Sequence, residues 1–209
     1  MLTKAGNRTY EGLYTPEMRP RLNAMERGIL KWAVIDRDDR VLDIGLGNGM
    51  MVDYLRRNME CEVCGVSDNM ELVRSTRALV CSADLVYAPV GDIPWRDGAF
   101  RTVLMRLKRM DADMLRLQLE EVSRVMKEGG QLVVGIECLP RVVGTVKRLL
   151  GDSMSQEPEA VSRKRAEAML AELGFEHFTW QRIALECGVL ICWKKNPLEE
   201  ECKKTIEEK

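Results

Sequence analysis

The sequence predicts one α/β domain built on a mostly parallel sheet that is covered on both faces. Three observations carry this. Short apolar runs alternate with stretches of helical spacing between residues 40 and 137. One of those runs, Val41-Leu42-Asp43-Ile44, leads into Gly45, Gly47 and Gly49, and a helical stretch follows directly. The last two apolar runs, residues 177–185 and 187–194, are separated by little more than Glu186. A connection that short joins antiparallel neighbours, so the chain should close on a hairpin. The 209 residues suit one such domain with a sizeable core.

The elements follow in order. Thr15-Pro16 and Arg19-Pro20 punctuate an N-terminal arm, residues 1–19, which is expected to act as a lid and contains Tyr10 and Tyr14. Pro20 suits a first helical turn, and Leu22, Met25, Ile29 and Trp32 then recur at helical spacing. Residues 40–44 form strand one, 50–57 a helix and 61–66 strand two. Ser67-Asp68-Asn69 opens a helix carrying Met70, Val73 and Leu79, and residues 84–88 are a short third strand. Residues 91–100 make a loop with two turn signals, and residues 101–106 are strand four. Asp111 and Asp113 favour a helix N-terminus. The buried stripe of that helix is Leu115, Leu119, Val122 and Met126. Gly129-Gly130 ends it before strand five, residues 131–137. A helix over 142–150, a polar loop over 153–158 and a helix over 163–173 precede the hairpin. The last of these carries Met169, Leu170 and Leu173 on one face and Gly174 at its C-cap. Residues 1–195 make the single domain, and 196–209 a charged tail.

Lys plus Arg is 32 and Asp plus Glu is 33, so the basic excess of a dedicated nucleic-acid binder is missing and no nucleic-acid partner is expected. No apolar run approaches the roughly 18 residues of a membrane span, and the first residues lack the apolar stretch of a signal peptide. A cytoplasmic location is expected. The seven cysteines are an odd number and lie mostly in strand-like runs, which fits free buried thiols. Cys61-Glu62-Val63-Cys64 spells C-x-x-C, but no second ligand pair follows for zinc. A redox C-x-x-C would open a helix, whereas this one sits in a strand. No metal is expected. Cys138, just past strand five, is read as small and apolar. His177, the only histidine, is read as structural.

The glycine turn after strand one carries the functional reading. Without a Cβ, a turn lets backbone amides approach a ligand closely, and the carboxyl end of a strand in an α/β sheet is where nucleotide-type ligands sit. The dinucleotide pattern G-x-G-x-x-G needs a small residue at position 50, where this chain has Met50. Together with the acid Asp43, residues 41–49 resemble motif I of the class I S-adenosylmethionine (SAM) dependent methyltransferases. Phe100-Arg101-Thr102-Val103-Leu104 is similar to the fourth-strand segment of the small-molecule members, of the type 11 kind. Gly91-Asp92-Ile93-Pro94 stands at the usual distance before it. Val122-Ser123-Arg124-Val125-Met126-Lys127-Glu128-Gly129-Gly130 resembles the R-V-L-K-P-G-G element. The resemblance runs from about Leu22 to Trp193 and implies a doubly wound, Rossmann-like, seven-stranded sheet with strand seven antiparallel.

It also implies an activity: transfer of a methyl group from SAM to an unidentified small-molecule acceptor by in-line displacement, with S-adenosylhomocysteine (SAH) as product. Such a reaction needs donor and acceptor held close and aligned, and no catalytic triad. By resemblance, Asp43 meets the methionine amino end of the cofactor, and Gly45, Leu46 and Gly47 run beneath it. Asp92 accepts from the adenine amino group, with a plain turn role as the alternative, and Ile93 packs on the ring. Met105 stands at the end of strand four, which faces the transferred methyl. Arg106, Lys108 and Arg109 beyond it either hold an anionic acceptor or form a solvated basic loop. Tyr14 and Arg106 are the candidate acceptor residues, with Tyr10, Arg19 and the 139–158 segment as a roof. The N/D-P-P-Y/F/W element of amino methyltransferases acting on bases or glutamine is absent.

Two departures stand out. The acid that ends strand two in the family is replaced by Gly65, or else its role falls to Ser67 or Asp68. Asp68 could instead cap the next helix. Arg101 stands where the family commonly has Asp. These departures leave open a non-catalytic SAM- or SAH-binding module on the same fold. A nicotinamide-dependent reductase is disfavoured by Met50 and by the lack of a Tyr-x-x-x-Lys pair. Acceptor and oligomeric state are not legible.

Overall fold

Strands buried on both faces read as near-continuous apolar runs, and the central strands of this chain do so in a computed structural model that describes residues 22–107, 110–137, 161–184 and 187–196. The expectations for the N-terminal arm, Pro20, Lys108, Arg109, Cys138, the 142–150 helix and the charged tail beyond 196 fall outside the described residues.

Helix α1 (Ala24–Trp32) is capped by Asn23. The Asn23 side chain accepts from the Glu26 amide at 2.8 Å, and the Glu26 carboxylate accepts from the Asn23 amide at 3.0 Å, a reciprocal capping box. Strand β1 (Arg40–Ile44) leads into α2 (Met50–Tyr54), which continues as a π-helical turn, Leu55–Met59. Strand β2 (Glu62–Ser67) precedes α3 (Met70–Leu79). The cap of α3 is Asn69, whose side chain accepts from the Glu71 amide at 2.9 Å, so the capping alternative for Asp68 is overturned. Strands β3 (Asp84–Tyr87) and β4 (Phe100–Leu107) follow, then α4 (Ala112–Val125), capped by Asp111.

Gly129-Gly130 does not end α4. The helix stops at Val125, and β5 (Met126–Glu137) already pairs at Met126 with Phe100 before the register shifts and Gln131 pairs with Thr102. The glycines lie within that irregularity because the backbones nearly touch: a Cβ on Gly130 would stand 2.7 Å from the Arg101 carbonyl. Helix α5 (Arg163–Glu172) and strands β6 (Phe175–Ala184) and β7 (Cys187–Lys194) complete the described elements.

The seven strands order as β3-β2-β1-β4-β5-β7-β6, and β7 runs antiparallel to both neighbours while the first five are mutually parallel. The chain grows outward from β1 through β2 to β3, then crosses back to β4. The junction of β1 with β4 is therefore the topological switch point. Alternation along each strand divides the core. Val41 and Leu104 pack under α1, α2 and α3, and Leu42, Ile44, Val103 and Met105 pack under α4 and α5. By the same alternation Asp43 and Arg106 belong to the face of α1, opposite Met105.

Candidate functional site at the switch point

Three glycines after β1 adopt left-handed backbone angles, with φ of +93° at Gly45, +53° at Gly47 and +78° at Gly49. Side chains rarely tolerate this, so the sequence folds here into a tight turn. The Gly45 amide donates to the Val66 carbonyl at 2.8 Å, fixing the turn to the end of β2.

Beside this turn lies a cavity of about 280 Å³ at the carboxyl ends of β1 and β2. Gly45, Ser67, Asp68, Ile93 and Arg106, all singled out from the sequence, line it together with Gln118 of α4. Other candidates do not reach it. Leu46 and Met105 are fully buried and serve the core, Leu46 under α1 to α3 and Met105 under α4. Asp92 is exposed to solvent beside the loop. Gly47 stands back from the cavity because its open side is filled: a Cβ there would meet Glu26 Oε1 at 3.2 Å and Arg106 Cζ at 3.4 Å.

The missing acid of strand two has a spatial explanation. A Cβ on Gly65 would lie 2.4 Å from Leu46 Cδ2 and 2.8 Å from Leu85 Cδ2, so position 65 is packed inside the fold and does not line the cavity. The strand end is Ser67, buried, with its hydroxyl accepting from the Asn69 amide at 3.2 Å. Asp68 stands exposed at the rim of the cavity. Arg101 is 3.9 Å from Asp39 and largely exposed, so that departure lies on the surface, away from the cavity.

Behind the turn sits a charged cluster. Arg106 Nη2 donates to both oxygens of Asp43, at 3.0 and 3.2 Å, and Nη1 donates to Glu26 Oε1 at 3.2 Å. Asp43 is 0% and Glu26 1% exposed. Burial pushes the Asp43 carboxyl above the ordinary carboxylate range. Arg106 pulls against that, and the Glu26 charge adds to the rise. Arg106 Nε is buried with no hydrogen-bond partner among the described residues. Glu26 was not singled out from the sequence. A signal exists, since residues 22, 26 and 29 share a helical stripe and a glutamate among Leu22 and Ile29 is out of place there.

A second pair shapes the loop carrying Ile93. Arg124 donates to the Ile93 and Trp95 carbonyls, both at 2.8 Å, and to Asp97 at 2.7 Å. It also pairs with Glu121 at 2.6 Å, and Glu121 accepts from the Ile93 amide at 2.9 Å. Both polar groups of the Ile93 backbone are thus held by α4. The hydrogen bond from Arg124 keeps the Glu121 carboxyl below its usual range. Elsewhere, Cys61 and Cys64 are free, buried thiols pushed up to about 11 by burial. His177 is exposed on strand β6, 3.4 Å from Glu176, far along the sheet from the switch point.

A mostly parallel sheet with a glycine turn and a cavity at its switch point is the α/β arrangement that suits nucleotide-type ligands. The family described as a methyltransferase domain matches residues 42–134, and the fold is similar to that of solved SAM-dependent methyltransferases. It is 25% identical over 138 residues to a sarcosine/dimethylglycine N-methyltransferase of Halorhodospira halochloris, covering 61% of this chain and 50% of that protein. The chain spans half or less of the length of the first curated relatives it matches. Its fold is similar to one in the complex of the Haloferax volcanii Trm112 methyltransferase activator with a methyltransferase, with a TM-score of 0.70, 17% identity, and 86% and 93% of the two chains covered. It is also similar to the [4+2]-cyclase SpnF, with a TM-score of 0.67, 15% identity, and 82% and 80% covered. One fold thus carries differently named chemistries, and the reaction has to be argued from the site.

Proposed function

We propose that this chain is an enzyme that transfers a methyl group from SAM to a small-molecule acceptor. The observation that carries the reading is the cavity bounded by Gly45, the Ser67-Asp68 strand end and the pinned Ile93. It offers a backbone approach, hydroxyl and carboxylate acceptors for ribose hydroxyls, and an apolar wall for a flat ring. Gln118 Oε1 adds a buried acceptor without a partner among the described residues, which suits a ligand amino group. Bound SAM would supply a methyl group on a sulfonium, a good leaving group. The protein's task is then alignment: Ser67 and Asp68 hold the ribose, Ile93 fixes the ring, and the end of β4 presents the acceptor side. Among the described residues no helix is long and apolar enough to cross a membrane, and a cytoplasmic location remains our reading.

The test is ligand-dependent stability followed by turnover. SAM and SAH should raise the melting temperature and bind in calorimetry, while NAD and NADP should not. Response to NAD alone would overturn the proposal. SAH release from SAM in the presence of small amines, sarcosine among them, should follow. A second reading, a non-catalytic SAM- or SAH-binding module, is favoured by the engagement of both Asp43 oxygens with Arg106. Tight SAH binding with no SAH release across amine, hydroxyl and thiol acceptors would select it.

A further inference from the structure

The cavity and the charged cluster share Arg106, and the boundary between them falls across the space where a SAM-like ligand would continue. The nucleoside side is open, between Gly45 and Ile93. The side over Gly47 is occupied by the Arg106 and Glu26 side chains, and the residue there that would receive a ligand ammonium, Asp43, has both oxygens taken by Arg106. At about 280 Å³ the open part lies just below the roughly 300–1,000 Å³ of ordinary small-molecule sites.

We propose that Arg106 determines specificity in this site by standing in for the ammonium of the ligand's zwitterionic amino-acid end, which reaches Asp43 only when Arg106 leaves it. The inference rests on the reading of the cavity as the nucleoside half of a SAM site. Charge supports the exchange. Two buried carboxylates, Asp43 and Glu26, face one guanidinium, so a ligand ammonium arriving at Asp43 as the guanidinium departs replaces one positive charge with another, and the ligand's own carboxylate has to point away from this pair. Geometry supports it as well. The unpartnered Nε means that the guanidinium is only partly satisfied where it sits, and leaving costs less than it would for a fully paired arginine. Glu26 anchors the closed arrangement to the first turn of α1, since its other oxygen accepts from the Asn23 amide. Arg106 is thereby bound to residue types that hold it back from the acceptor.

The experiment compares two ligands by calorimetry on the full chain: SAH, and 5′-methylthioadenosine, which has the same nucleoside and sulfur but no amino-acid end. In the wild type the two should bind within about threefold of each other. Arg106→Met should tighten SAH by about tenfold and leave methylthioadenosine within about twofold. Should that variant fail to fold, Glu26→Gln decides. It keeps the capping oxygen, releases one anchor of Arg106, and should tighten SAH alone by about threefold. Weaker SAH binding in either variant would make Arg106 a ligand of the amino-acid end and overturn the inference, as would equal changes for both ligands. Failure of both ligands to bind any of the proteins would instead overturn the SAM reading itself.

Discussion

On the β2 side of the cleft, Ser67, Asp68 and Ile93 border open space, whereas one strand away Asp43 and Arg106 are packed against each other and Glu26 closes over Gly47. The two regions use the same local device, a strand end meeting a turn, and reach opposite results. At β2 the side chain at the strand end is small, and the bulk lies one step inside, where Leu46 and Leu85 crowd Gly65. At β1 the glycines clear a space and the protein fills it from another element, with a β4 arginine and a helix glutamate. A glycine turn therefore marks where something approaches the backbone. It does not say whether that is a ligand or the protein's own side chain.

The sharpest way to break this comparison is to place the family's acid at each candidate position. Gly65→Asp forces a Cβ to within 2.4 Å of Leu46 and buries a carboxylate among leucines, so it should destabilise the fold by about 3 kcal/mol or more, read by urea denaturation. Ser67→Asp adds the same charge at the strand end beside the cavity. Because Ser67 is itself buried, the change should also cost stability, though clearly less than Gly65→Asp since the new carboxylate borders the cavity rather than leucines, and it should tighten SAH and methylthioadenosine together. Equal stabilities for the two variants would show that position 65 is not packed as described.

How much of this was legible in the sequence depends on which interactions decide each feature. Strand β1 and the hairpin strand β7 have the bounds expected from their apolar runs, because burial on both faces leaves no other reading. The C-terminal end of α4 was misplaced because Gly129-Gly130 looks like a helix stop, while the actual requirement is the close approach of Gly130 to the β4 backbone, which only tertiary structure reveals. At the site, residues whose role follows from the turn or strand end, Gly45, Ser67 and Ile93, could be found locally. Glu26 leaves only the trace of a glutamate on an apolar helical stripe and Gln118 leaves none, since each role depends on which helix face meets the switch point, Glu26 lying 80 positions from Arg106. The resemblance gives Asp92 the adenine amino group, with a plain turn role as the alternative, and the Arg124 and Glu121 hydrogen bonds hold that loop so that Ile93 lines the cavity and Asp92 faces solvent.

That clamp gives the next expected effect. Arg124→Met removes the hydrogen bonds to Ile93 and Trp95 and should cost about 1–3 kcal/mol of stability. It should also weaken SAH and methylthioadenosine equally, because it acts on the nucleoside side, in contrast to the SAH-selective effect expected at Arg106. The pH dependence has a fixed sign. Glu121 has a folded pKa below its usual value, so its contribution is fully present above the unfolded glutamate value of about 4.3 and is lost as pH falls through the lower folded value. Ligand binding between pH 6 and 8 should therefore show no titration from this pair, and a loss of affinity in that range that disappears in Glu121→Gln would contradict it.

The smallest expected effect is the most specific to the open side. Gln118 is 9% exposed, lines the cavity, and leaves Oε1 without a partner among the described residues. An unmade hydrogen bond on a buried amide is a cost that an apolar side chain of similar shape does not carry. Gln118→Leu should therefore leave the ligand-free protein as stable as the wild type or more stable, by up to about 1 kcal/mol. If Oε1 is kept for the ligand's amino group, the same change should weaken adenosine-type ligands by about tenfold, whether or not they carry the amino-acid end. Inosine, whose ring has a carbonyl in place of that amino group, should discriminate further. Wild type should prefer adenosine to inosine, and Gln118→Leu should lose most of that preference. A variant that is less stable, with the preference intact, would return Gln118 to a packing role and leave the open side of the cleft defined by Ser67, Asp68 and Ile93 alone.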